Sequence, residues 1–353
     1  MSHTMDILTA LKQAQRIAFA PFVFQATVSA LRLGLLKTLH ASDRPLPVSA
    51  VAERSGVSEY GVKVLLETLL VADVVSHDED GYRLTKVGEV LLFNPMTEVN
   101  LNFTADVCYK GLAYLTDAVV TGTPSGLKEL GPWPTIYPAL SQLPEPARDS
   151  WFKFDHYYSD QVFNRCAGWI DRHLKPARLF DIGGNTGRFA GTCLQRMPYA
   201  NVTIVDLPEQ CQLARDNPDL AAVRDRLQTA SVNWLDPDAL PQTDTKADVI
   251  WMSQFLDCFS PEQAVSILRR AKQLLKPEGK IVILECLWDR QEHEAARLSI
   301  VCTSLYFTAI ANGNSRFFTH PELLAIVKEA GLVVEETQDG LGISHTLLVC
   351  RSE

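Results

Sequence analysis

The chain has 353 residues, 46% of them hydrophobic and 21% charged, with a formal net charge of −9. This length predicts two domains, each able to bury a core of its own. The acidic balance argues against nucleic acid as the main partner, because phosphate binding relies on clustered Lys and Arg.

Met1 to Met5 contribute nothing to the reading. Residues 6–40 read as two helices broken near Pro21. The uncharged run Ile17–Leu31 contains Pro21, Gln25, Thr27 and Ser29 and is bracketed by Arg16 and Arg32. It is shorter than the roughly 20 apolar residues a membrane span needs, and no small-residue cleavage site follows it. It predicts a buried helix, no membrane partner and a cytoplasmic protein. From Pro47 the pattern becomes helix, turn, helix, hairpin. Val48–Ala52 gives a short helix, Ser58 caps the next, and Val62, Leu65, Leu66, Leu69 and Leu70 form its apolar stripe. Val74-Val75-Ser76 and Tyr82-Arg83-Leu84 flank the turn His77–Gly81 as a hairpin wing. This is a winged-helix pattern. A DNA-binding version needs basic residues on its recognition helix and wing. Here Glu59 and Glu67 lie on the helix and Asp78, Glu79 and Asp80 on the wing tip, so an interaction or dimerisation module is expected.

Residues 95–150 mix helix and loop. Within the Pro- and Gly-rich stretch Gly122–Pro146, Trp133, Ile136 and Tyr137 are enough to anchor an ordered lid or connector. A helix over about Pro146–Leu174 leads to the most informative segment. Leu179-Phe180-Asp181-Ile182 rises into Gly183-Gly184-Asn185-Thr186-Gly187, a helix follows over Arg188–Gln195, and a second apolar run ends on Asp206. In such a βαβ unit a ligand meets the carboxyl ends of the strands, where glycines let it approach the backbone. Asp206 is then placed to accept two hydrogen bonds from ribose hydroxyls. A dinucleotide fingerprint fails, because its second and third glycines would fall on Asn185 and Arg188. The spacing D-x-G-G-x-x-G instead resembles the first motif of class I S-adenosylmethionine (SAM) methyltransferases. Strand signals recur at Val202–Val205, Ala247–Trp251, Lys280–Leu284, Leu332–Glu336 and Thr346–Cys350. They predict an α/β fold, a mostly parallel sheet with helices on both faces. Eight cysteines (Cys108, Cys166, Cys193, Cys211, Cys258, Cys286, Cys302, Cys350) show no C-x-x-C pair. Several lie inside apolar runs and read as buried free thiols in a reducing compartment, with no disulfide framework, zinc or other metal indicated.

A winged-helix module, a helical connector and a SAM-type α/β domain, in that order, resemble the small-molecule O-methyltransferases of the caffeate, hydroxyindole and polyketide-tailoring type. Leu33-Gly34-Leu35-Leu36 and Ala330-Gly331-Leu332 match as well. The resemblance implies a Rossmann-like class I SAM methyltransferase domain over 109–353, including the connector, behind a winged-helix dimerisation domain over 1–108. It also implies an intertwined homodimer. Carried over, Asp181, Gly183, Gly184 and Gly187 match the cofactor loop and Asp206 the ribose acid, with Leu207 against the adenine. Asn233 and Trp234 match the adenine-contacting segment, Asn233 standing for the usual Asp, and Ser253 stands where a lysine is usual.

The catalytic positions depart from the pattern. The family's general-base His is Asp257 here, Glu285 matches one acid that orients it, and the second orienting Glu is Ser315. Upstream, the substrate-facing Met is His156, one helical turn from Phe152. A carboxylate with a pKa near 4 is mismatched to a phenol near 10 unless burial raises it, and a neutral imidazole is closer. His156 is therefore the expected base, with Asp257 or Glu285 setting the pocket's charge state, and Asp257 as base stays open. Phe152, Tyr157 and Tyr306 are the expected substrate contacts. The expected activity is SAM-dependent O- or ortho-C-methylation of a small aromatic, phenolic acceptor, either free or tethered to a carrier protein. The alternative is a non-catalytic SAM-binding regulatory or interaction dimer.

Overall fold

A computed structural model describes residues 6–353; residues 1–5 lie outside the described residues. The chain divides into two compact units between Ala105 and Asp106, just ahead of the boundary at 108 expected from sequence.

In the first unit α1 (Ile7–Ala18) opens on Asp6, whose carboxylate accepts from the backbone N–H groups of Leu8 and Thr9 at 3.0 Å each. The break before α2 (Ala20–Arg32) falls at Phe19. Pro21 sits in the first turn of α2, where its missing N–H costs nothing. α2 buries Ala26, Thr27, Val28 and Ala30, whereas α1 buries nothing, and Ile17, Phe19 and Phe22 are 79%, 54% and 67% exposed. The expected buried helix is thus buried only in its second half. The core of this unit gathers around Leu35, Leu36, Val51, Val62, Leu66 and Leu69, and the first half of α2 contributes nothing to it. Helices α3 (Leu35–His40), α4 (Val48–Ser55) and α5 (Glu59–Val71) follow, and Ser58 Oγ caps α5 by accepting from Gly61 N at 3.1 Å. The hairpin β1 (Val75–Asp78) and β2 (Gly81–Leu84) is extended by a bridge from Tyr82 to Leu46. α6 (Lys86–Phe93) and α7 (Pro95–Phe103) complete the unit.

The second unit begins with α8 (Leu115–Thr121) and short helical turns, then α9 (Ala147–His173). Between them the Pro- and Gly-rich stretch is an ordered strap. Ile136 N donates to Ala311 O at 2.9 Å, and Gln210 Nε2 donates to Tyr137 O at 3.1 Å. Then come β3 (Arg178–Ile182), α10 (Arg188–Arg196), β4 (Asn201–Asp206), α11 (Pro208–Asp216), β5 (Leu227–Ser231) and β6 (Ala247–Ser253). After them follow α12 (Pro261–Lys272), β7 (Leu275–Cys286), α13 (Glu294–Tyr306), α14 (His320–Glu329), β8 (Leu332–Leu341) and β9 (His345–Ser352). The seven strands run β5-β4-β3-β6-β7-β9-β8, parallel from β5 through β7, with β9 antiparallel to both its neighbours. One core packs on Phe180, Ile182, Ile250 and Ile283, the other on Leu179, Ile204, Trp251 and Leu284. Burial on both faces is why these strands read as unbroken apolar runs. No helix among the described residues is long and apolar enough to cross a membrane.

Trp251 is fully buried and stacks on Phe189 with ring centroids 4.1 Å apart. Trp251→Ala should therefore cost about 3–5 kcal/mol in urea unfolding; a loss below about 1 kcal/mol would contradict this packing.

Candidate active site

The strands end in a cleft built from consecutive loops. β3 delivers Asp181, and the chain then passes through Gly183 and Gly187, at φ +73° and +83°, into α10. A Cβ at Gly183 would lie 2.4 Å from the Phe255 ring, and one at Gly187 2.7 Å from Leu220. Both glycines are thus demanded by the protein's own packing and backbone conformation. A Cβ at Gly184 would press on the Asp181 carboxylate at 2.9 Å. Asp181 is buried, one of its oxygens has no hydrogen-bond partner, and burial, then neighbouring Asp206, push its pKa up to about 8. Asp206 ends β4 and accepts from Asn185 N at 2.9 Å and Leu207 N at 2.7 Å; burial lifts its pKa to about 6. A carboxylate has about four lone-pair sites, so two remain for further donors. Asn185 in the turn and Ser253 at the end of β6 each hold a buried side-chain oxygen without a partner.

The expected adenine segment divides. Asn233 is exposed, and its side-chain oxygen caps Leu235 N at 3.0 Å. Trp234 belongs to the core and not to the cleft, which corrects the reading of its side chain as a cofactor contact. It is buried against Arg270, whose guanidinium lies 5.0 Å from the indole ring and donates to Trp234 O at 2.6 Å. A large apolar ring with a cation over its face gains more from burial than from solvent.

Across the cleft, Asp257 lies in the helical turn Leu256–Cys258 and Glu285 near the end of β7; they are 2% and 1% exposed. One Glu285 oxygen accepts from Phe255 N at 3.1 Å and Leu256 N at 2.9 Å, clamping the turn that carries Asp257. Its other oxygen makes no tight hydrogen bond and faces Asp257. Burial pushes both acids up, Asp257 to about 7 and Glu285 well above the carboxylate range, where the Asp257 charge adds to burial. The two carboxyls titrate as one pair that retains a proton into the neutral range.

His156 stands apart from this pair. Its ring centroid is 5.7 Å from that of Phe152, and its Nε2 is buried without a partner. The charges facing it are Arg188 and Asp160, which pair with each other. Burial, then Arg188, lower its pKa to about 4, so the ring is neutral at physiological pH. Among the described residues no hydrogen bond or ion pair links it to Asp257 or Glu285. The preceding Asp155, raised to about 7 by burial and then by Asp160, is the α9 charge that reaches Asp257.

Phe152 meets Trp151 edge-on at 5.2 Å, and Trp151 Nε1 donates to the Tyr306 hydroxyl at 2.7 Å. Phe152 and Tyr306 are thus brought together. Tyr157, five residues and about 140° of helix rotation from Phe152, is half-buried in line with the exposed Lys153 and Gln161, its ring 5.5 Å from that of Tyr158. Trp151, Asp155, Tyr137 and Asn312 were missed from sequence. Only Trp151 and Asp155, one helical turn apart beside Phe152 and His156, left a spacing signal.

Residues 171–333 match the family model described as an O-methyltransferase domain, and residues 11–82 that of a Dimerisation2-like domain. Residues 171–333 thus belong to the O-methyltransferase domain family. It is 22% identical over 296 residues to bacteriochlorophyllide d C-20 methyltransferase of Chlorobaculum tepidum, covering 82% of each chain. It is 25% identical over 273 residues to 3-hydroxy-5-methyl-1-naphthoate 3-O-methyltransferase of Streptomyces sahachiroi, covering 75% of this chain and 74% of that one. Among solved structures it is similar to mitomycin 7-O-methyltransferase, with a TM-score of 0.74 at 21% identity and 98% coverage of both chains. The protein is thus a SAM-dependent methyltransferase, an α/β class I domain behind a dimerisation-type domain.

The residues of this methyltransferase fit SAM. The unpartnered oxygens of Asp181, Asn185 and Ser253 and the spare lone pairs of Asp206 are the donor and acceptor set that an amino acid and a ribose require. Bound SAM would supply an electrophilic methyl group on a cationic sulfur. Asp206 would hold the ribose, Leu207 the adenine side, and the glycine turn with Asp181 the amino-acid end.

Binding that favours ionised Asp181 and Asp206 must strengthen as pH rises through their raised pKa values, about 8 and about 6 respectively. Calorimetry with S-adenosylhomocysteine should show affinity climbing from pH 5.5 to 8.5, then levelling. Asp206→Ala should weaken it at least about tenfold, at about 1.5–3 kcal/mol per hydrogen bond to a charged group. The same raised acids bind more protons folded than unfolded. Stability should therefore fall as pH rises from about 4 to about 8, and a Tm higher at pH 8 than at pH 5.5 would contradict these burials.

Proposed function

We propose that this methyltransferase transfers the SAM methyl group to a hydroxyl of a small neutral aromatic acceptor, with the Asp257–Glu285 carboxyl pair as the proton acceptor. The carrying observation is the near-complete burial of two adjacent acids, neither of which has a salt-bridge partner among the described residues. A carboxylate near 4 faces a phenol near 10 across about six pKa units. With Asp257 raised to about 7 that gap is roughly halved. His156, lowered to about 4, is a weaker base than free imidazole and is assigned to orienting the acceptor ring with Phe152. This reverses the order expected from sequence. The acceptor hydroxyl gives its proton to Asp257 as its oxygen takes the methyl group, and Glu285 keeps its own proton throughout.

Loss of a phenol's proton also enriches its ortho carbon, so carbon transfer could use the same acid pair. The relative named for C-20 methylation is the observation favouring that second reading. Arg188, the cation facing Asp155 and His156, is already paired to Asp160, which favours a neutral acceptor over a carboxylate. The Dimerisation2-like match and the exposed Ile7, Leu8, Ile17, Phe19 and Phe22 support a homodimer.

Single-turnover transfer from labelled SAM to 2-naphthol is the test. Asp257→Asn should lose about 10²–10⁴-fold, the usual contribution of a base, while His156→Ala loses less. An inactive His156→Ala beside an active Asp257→Asn would restore the sequence-based order. 2-Naphthol should outperform its ring-carboxylated analogue, and the opposite preference would remove the neutral-acceptor assignment. Phe22→Asp should shift the mass by light scattering from dimer to monomer; an unchanged mass would place the subunit contact elsewhere.

A further inference from the structure

Asp257 has a second set of polar neighbours that the transfer step leaves unexplained. Ser315, at the position the family resemblance gives to a second orienting glutamate, is buried and bonds only within a small network. Asn312 Nδ2 lies within donating distance of Ser315 Oγ (2.8 Å), Cys258 O (2.6 Å) and the Tyr137 hydroxyl (3.4 Å). Asn312 Oδ1 in turn accepts from Ser315 N at 3.2 Å and Asn314 N at 3.1 Å, which fixes the amide. The Tyr137 hydroxyl also hydrogen-bonds to the Cys258 thiol, and Cys258 Sγ lies 3.5 Å from Asp257 Oδ1, to which it donates. Tyr137 is held from its backbone as well, through Gln210 and the neighbouring Ile136–Ala311 bond of the strap.

The direction of these bonds matters. The two hydrogens of the Asn312 amide go to its nearer acceptors, Cys258 O and Ser315 Oγ, so the 3.4 Å contact packs the amide beside the Tyr137 hydroxyl, whose own hydrogen goes to the Cys258 sulfur. A sulfur that accepts there has a single hydrogen left, and its two possible acceptors are Asp257 Oδ1 at 3.5 Å and Gln254 O at 3.8 Å. We propose that Tyr137, held by the strap and packed beside Asn312, is a positioning residue of this methyltransferase: it holds the Cys258 thiol toward Asp257 and so fixes the carboxyl that receives the acceptor's proton. A strap residue would then do, by relay, what an orienting carboxylate does directly. This inference rests on Asp257 being the proton acceptor. The titratable groups around Asp257 are Glu285, Asp155, Cys258 and Tyr137, with Tyr306 beside Tyr137.

Infrared difference titration of the full-length protein reads the Asp257 proton without any acceptor, its carboxyl band being assigned by its loss in Asp257→Asn. A thiol donating to Asp257 favours the ionised form. Losing that bond in Tyr137→Phe should therefore raise the titration midpoint by about 0.5–1 pH unit, the size of one modest hydrogen bond. Cys258→Ala should raise it equally, Cys258→Ser should restore it, and the affinity for S-adenosylhomocysteine should stay within about twofold. A midpoint unmoved in both Tyr137→Phe and Cys258→Ala would overturn the inference. Should Tyr137→Phe fail to fold, Cys258→Ala against Cys258→Ser decides alone. Full activity of Asp257→Asn toward 2-naphthol would instead defeat the functional reading, an outcome separate from an unmoved midpoint.

Discussion

Two carboxyl groups, Asp257 and Glu285, share a site that water scarcely reaches, and the chemistry of the cleft depends on that confinement. Desolvating one carboxylate is costly and desolvating two side by side more so, so one must keep its proton. Burial and the neighbouring Asp257 charge raise Glu285 against two backbone donors, Phe255 N and Leu256 N, that favour its ionised form, while Asp257 sits on the turn itself and accepts from the Cys258 thiol. The outcome is an acid whose affinity for a proton is matched to neutral pH in a chain that lacks the family's histidine. Since SAM brings its own electrophile, the protein's remaining share is orientation and exclusion of water.

The same principle acts on the cofactor side with another result. Asp181 and Asp206 are also buried close together, and their pKa values are also raised. There the ammonium and ribose hydroxyls that SAM would bring would release the strain. Each pair of acids thus lowers the stability of the ligand-free fold and stores selectivity for a charge or a proton. The large two-faced core around Phe180, Trp251 and Ile283 is what allows the fold to tolerate it.

The frame of the second unit was legible because a parallel sheet covered on both faces leaves apolar runs in sequence. β5, Leu227–Ser231, is largely polar and lies at the sheet edge, so it left no such run. The glycine turn and the paired acids were legible because their backbone conformations and spacing admit few residues. The sequence could not show that Trp234 turns into the core or that Pro21 begins a helix. Each depends on where a side chain's neighbours lie in space. The inversion of basicity between His156 and Asp257 was hidden for the same reason, since burial is a tertiary property. So was the Tyr137–Asn312 contact, whose partners are 175 residues apart.

The central claim is that a buried carboxyl near neutrality, and not an imidazole, receives the acceptor's proton. The pH dependence of single-turnover methyl transfer at saturating SAM tests it most directly. Transfer should rise tenfold per pH unit below an apparent pKa of about 7 and level above it, with the same inflection retained in His156→Ala. An inflection near 4 that disappears in His156→Ala would contradict the account and return the base to the imidazole.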